Sequence, residues 1–199
     1  MLRVVIAVVL GGVVLQAWGF ASWMVLGMHD ATFNDLGDPA TEDALAALIE
    51  KADLKDSGWY YWPAMPEDWG DAEAMAAYEE RHASMPIGHL IVAPAGQEPM
   101  PPSMMAIAGV TNLAIALAAC LLVAMSKLKG FFKRWVFVVG LGVVTVLATD
   151  VMGWNWMRIP TDYAIAMAVD RLIAMALLGA VVAALIYPAR PGKHSEPQG

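Results

Sequence analysis

The chain has 199 residues, is 59% hydrophobic and carries a formal net charge of −7, with a mean hydropathy of +0.55. An average soluble domain is about 45–50% apolar, so this composition points to membrane spans, and the acidic balance argues against nucleic acid as a partner. The single cysteine, Cys120, excludes an intrachain disulfide and a cysteine zinc cluster; inside an apolar segment it reads as a small buried core residue.

The first element is an apolar segment over 4–26. A cleavable signal has an apolar core of about 7–15 residues. This segment is longer and lacks a small-x-small site after it, so an uncleaved transmembrane helix is expected within 1–27. Gly11, Gly12 and Gly19 are expected to let neighbouring helices approach closely.

Residues 28–102 form an insert too long to be an idle loop. Asp38, Pro39 and the acids Glu42 and Asp43 give a helix start: a capping residue, a first-turn proline and charges that suit the helix dipole. Leu45, Leu48, Ile49 and Ala52 then recur at helical spacing. Trp59, Tyr60, Tyr61 and Trp62 read as a strand stopped by Pro63. A second helix is expected over 71–83, with Met75, Tyr78 and His82 on one face, and a second strand over 86–93. The result is a small α+β cap. Two strands alone are marginal in water, so Trp59, Trp62 and Trp69 are expected to serve as core or interface anchors.

Three further apolar stretches follow, at 104–125, 135–151 and 163–187. A span needs about 20 apolar residues, which places transmembrane helices at about 103–126, 131–152 and 163–187. Gly140 and Gly142 are further close-packing positions. A short outer link, 153–162, supplies Trp154 and Trp156 as interfacial aromatics, and Thr161 or Asp162 as a cap for the last span. The chain ends in a tail, 188–199.

Charge sets the orientation. The link between the second and third spans carries Lys127, Lys129, Lys133 and Arg134 with no acid. Arg3 opens the chain, and Arg190 and Lys193 lie in the tail. The insert holds fifteen acids against Lys51, Lys55 and Arg81. Both termini are therefore expected in the cytoplasm of a bacterial cell with the chain in its inner membrane, and 28–102 in the periplasm.

The spans are not wholly apolar. Asp170 and Arg171 lie inside the last one, and one charge at the bilayer centre costs at least about 2.5–3.5 kcal/mol. At 1.5 Å rise per residue, Gln16 and Ser22, Thr111 and Asn112, Thr149 and Asp150, and Asp170 and Arg171 all fall in the outer leaflet. Each span thus contributes to one polar layer. Neighbouring helical residues point about 100° apart, so Asp170 and Arg171 each need a separate partner. Asp150 is expected for Arg171, and Asn112 or Arg158 for Asp170. The layer either sets helix register or forms a site for a ligand, lipid headgroup or proton.

No phosphate-cradling loop, nucleophile elbow or HExxH pattern is present, so no catalytic residue is assigned. No histidine lies inside a span, which argues against a transmembrane haem; no cofactor is expected. His29, His82 and His89 all fall in the insert and are weak metal candidates, without the tight spacing of a copper or zinc site.

Short pieces along the chain resemble a group of uncharacterised bacterial membrane proteins of about 200 residues. They are the run from Gly11 to Met24 with the later His29, the Ser57-Gly58-Trp59-Tyr60 run, Pro99-Met100, Thr111-Asn112, and the run from Ile159 to Tyr163 leading to Asp170. The resemblance implies four spans and an external insert, and brings no reaction with it.

The expectation is an all-α membrane protein: a four-transmembrane-helix bundle with a small periplasmic α+β insert between helices 1 and 2. Its first functional reading is a non-enzymatic accessory or structural subunit of a larger inner-membrane complex, in contact with membrane lipids and other membrane subunits. The alternative is a small-molecule or lipid-handling protein, enzyme or carrier, working at the polar layer. A periplasmic metal handler is a third.

Overall fold

The structure is a computed structural model that describes residues 1–54 and 56–187; the tail expected over 188–199 lies outside the described residues. It divides into two compact units, Met1–Asn34 with the segment from Pro101 onward, and Asp35–Met100.

The first unit contains four helices long and apolar enough to cross a membrane. Helix α1 (Leu2–Phe20) continues into a π-helical turn, Ala21–Val25. Helix α4 (Pro102–Met125) starts on a proline, whose missing N–H costs nothing at a first-turn position. Helix α5 (Phe131–Val146) runs through a second π-helical turn, Leu147–Val151, into α6 (Met152–Met157). Helix α7 (Thr161–Leu185) completes the set.

The third candidate span therefore extends over Phe131–Met157, further than the expected 131–152. Most of the expected outer link is helix, and Arg158 ends it in the left-handed conformation. The expected cap of the last span is also absent. Pro160 precedes α7 without a side-chain cap; Thr161 Oγ1 instead accepts from Trp154 Nε1 at 3.0 Å, and Asp162 Oδ1 from the adjacent Tyr163 N–H.

The helices pack as a row, with α4 beside α1, α1 beside α7, and α7 beside α5; α4 also touches α7. Small residues make the row possible. A Cβ on Gly11 would lie 2.7 Å from Leu178 and 3.0 Å from Ala116, and one on Gly142 would lie 2.8 Å from the Cβ of Met175. Gly12 faces Leu113 in the same way. Gly19 and Gly140 have open space beside them, so the expected packing role does not apply to those two. The core is the Ala7, Leu15, Ala116, Cys120, Val123, Val138, Leu178 and Val182 cluster, which gathers around the basic end of the bundle and leaves the other half to polar contacts.

In the second unit, α2 (Pro39–Lys51) is capped by Asp38, whose Oδ1 accepts from the Thr41 amide at 3.0 Å and whose Oδ2 accepts from the Thr41 hydroxyl at 2.8 Å. Asp71 caps α3 (Ala72–Ser84) through the Glu73 and Ala74 amides. Strands β1 (Gly58–Trp62) and β2 (Gly88–Val92) pair antiparallel, with Trp59 opposite Ile91 and Tyr61 opposite His89. The bonds from Thr41 hold the Asp38 carboxyl below its usual range. A lowered folded-state value contributes stability above the unfolded value, about 3.9, and loses it as pH falls through the folded one. Asp38→Ala is therefore expected to speed amide hydrogen exchange in α2 at neutral pH. The difference from wild type closes as pH falls through that lowered value, where the wild-type carboxylate is protonated too.

Candidate functional site

Three polar contacts cross the helix row in the half away from its basic end, one at each neighbouring interface. Between α1 and α4, Asn112 Nδ2 donates to Gln16 Oε1 at 2.8 Å. Between α1 and α7, Trp18 Nε1 donates to the Asp170 carbonyl at 3.3 Å. Between the π-helical turn after α5 and α7, Arg171 Nε meets Asp150 Oδ2 at 2.8 Å. Apolar helices slide against each other at little cost. A directional bond at an interface is satisfied in one axial register only.

The turn carrying Asp150 explains its reach. A π-helical turn adds a residue to the helical repeat and rotates the side chains beyond it. Asp150 keeps only 8% of its side chain exposed, against 36% for Arg171. Thr149 and Thr145 close their hydroxyls onto carbonyls four residues back, so neither offers a free donor to the layer.

Asp170 departs from expectation. Asn112 is taken by Gln16, and among the described residues neither Asn112 nor Arg158 bonds to Asp170. Its Oδ1 is buried without a hydrogen-bond partner. An unmet buried acceptor costs about 1–3 kcal/mol, so Asp170 strains the layer that Asp150 and Arg171 stabilise.

A groove of about 190 Å³ opens beside the ion pair, lined by Asp150, Val151, Trp154, Thr161, Ala164, Ile165 and Ala168. Its polar groups are the Asp150 carboxylate and Thr161, whose hydroxyl already accepts from Trp154. Trp156 is 70% exposed.

His29 was not expected in a core. Its side chain is buried, and its ring stacks on Trp23 with centroids 3.9 Å apart and planes 21° apart. Neither ring nitrogen has a partner. Trp23 also meets Phe33, which sets its ring edge-on to Tyr163 at 5.5 Å. This aromatic chain ties the end of the first span to the start of α7. Only the aromatic spacing Trp23, His29, Phe33 marks it in the sequence.

The other histidines are held differently. His89 Nδ1 accepts from Trp59 Nε1 at 3.1 Å, and His82 lies against Tyr78 on α3. Trp62 Nε1 is used by the Pro86 carbonyl at 2.9 Å. Among the described residues no three His, Cys, Asp or Glu side chains are grouped to hold a metal ion. No protein-family model, curated protein or solved structure matches the chain.

Proposed function

We propose that the chain is a non-enzymatic accessory subunit of a larger bacterial inner-membrane complex, with both termini cytoplasmic and the Asp35–Met100 unit in the periplasm. One observation carries this reading. The second unit does not cover its own apolar surface. Neither α2 nor α3 has a buried residue. One face of the β1–β2 sheet leaves Trp59 54%, Tyr61 46% and Ile91 73% exposed. A two-stranded sheet needs packing against another surface for stability, and exposed apolar patches of this kind mark interaction sites. The polar contacts between helices then hold the helical unit in one register.

The test is a photo-crosslinking residue placed at Ile91 in membranes, with Gly37 as the control position. The expected result is one discrete adduct between this chain and a different polypeptide from position 91 and none from position 37. Adducts only with lipid, or equal labelling from both positions, would overturn the reading.

A second reading rests on the groove at Asp150 and on the unmet oxygen of Asp170. A ligand in the groove would meet Asp150 and Thr161, while Asp170, which does not line it, would need a donor from another side. This makes the polar layer a small-molecule or lipid site.

A further inference from the structure

Arg134 is the most buried charged side chain among the described residues, only 4% exposed. It lies in the first turn of α5, where the positive end of the helix dipole disfavours a cation. One of its terminal nitrogens donates to the Ile186 carbonyl at 2.6 Å, at the end of α7. Its Nε has no partner. Its guanidinium stacks on the Tyr187 ring with Cζ 4.6 Å from the centroid, and Arg3 approaches the same ring at 5.4 Å. Gly130 precedes α5 without a side-chain cap, so the first amides of that helix add to the positive field.

Among the described residues no acid answers these charges. The first acid in the chain is Asp30, and the 126–135 segment holds Lys127, Lys129, Lys133 and Arg134 and no carboxylate. Among the described residues Arg134 makes no ion pair. A buried cation without a counter-charge is strongly unfavourable, and one carbonyl bond plus one ring face neutralises only part of it. Positive-inside bias accounts for exposed lysines in this loop. It does not account for a guanidinium drawn under a tyrosine and left unpaired.

We propose that this end of the bundle binds the phosphate of an anionic phospholipid headgroup. The exposed Arg3 and Lys133 make the contacts, and Arg134 behind Tyr187 supplies the uncompensated charge that holds the anion. Guanidinium pairs suit phosphate because each offers a planar fork of donors, and basic pockets between helices on the cytoplasmic side take such headgroups. The proposal rests on the reading of the four helices as membrane spans.

Membranes are first washed with alkaline carbonate; release of the chain would sink the spanning reading itself. The detergent-purified protein is then melted and weighed by native mass spectrometry with added phosphatidylglycerol, phosphatidylcholine or inorganic phosphate. The expected result is a retained phosphatidylglycerol adduct and a higher Tm, with neither for phosphatidylcholine. Arg3→Gln and Lys133→Gln, both at exposed positions, each weaken phosphatidylglycerol binding by about fivefold, while Lys51→Gln in the second unit does not. Arg134→Gln removes the adduct if it folds; the two surface variants decide the matter if it does not. Equal adducts with both lipids, or no loss in the surface variants, would overturn the proposal. Equal stabilisation by inorganic phosphate would assign the site to a soluble anion and overturn the lipid source.

Discussion

Asp150→Ala is expected to be the most damaging single substitution in the polar layer. It leaves Arg171 without its counter-charge inside an apolar helix, at a cost of about 2.5–3.5 kcal/mol on insertion scales. Water does not explain the pair away. The part of Arg171 that remains exposed faces hydrocarbon if these helices span a membrane, so screening is weak. Thermal unfolding in detergent gives the measurement. The double variant Asp150→Ala with Arg171→Met is expected to recover most of the loss, because removing both charges removes the uncompensated one. If the double variant were no more stable than Asp150→Ala, the pair would not be the source of the effect.

Asp170→Leu is expected to act in the opposite direction. The unmet Oδ1 is a standing cost, so its removal raises stability by about 1–3 kcal/mol. The Trp18 bond survives, since it runs to the backbone carbonyl of residue 170 and not to the side chain. Two aspartates in one layer thus carry opposite signs, which a uniform register-setting network does not predict. A residue kept at a cost to stability is a candidate for function. If Asp170→Leu were strongly destabilising, an unseen partner would have to be sought for the carboxylate, and the ligand reading would lose its support.

Much of this was legible in the residues, for a physical reason. Long apolar runs have few alternatives to helix, so the four long apolar helices and their order follow from hydropathy and turn residues. Asp38 and Asp71 mark helix starts because a short carboxylate before free amides has one obvious use. The Arg171–Asp150 pair follows from depth and from the cost of an unpaired charge. Other features needed coordinates. The π-helical turns at Ala21–Val25 and Leu147–Val151 leave no signature in hydropathy, yet the second one carries Asp150 and joins α5 to α6, which extends the third element to Met157. Depth alone put Asn112 near Asp170. The helix row instead puts α4 against α1, and Asn112 meets Gln16. Burial of His29 and Arg134 was hidden because both are polar residues near segment ends, where exposure is the usual expectation. Their neighbours, Trp23 for one and Tyr187 for the other, cover them by stacking.

The accessory-subunit claim is tested most directly by the mass of the particle released from membranes by a mild detergent, read by native mass spectrometry. The account predicts the 21.3 kDa chain in a fixed ratio with a different polypeptide, and its release from that particle when Ile91→Glu charges the exposed sheet face. A lone chain, or an assembly of this chain only, would contradict it.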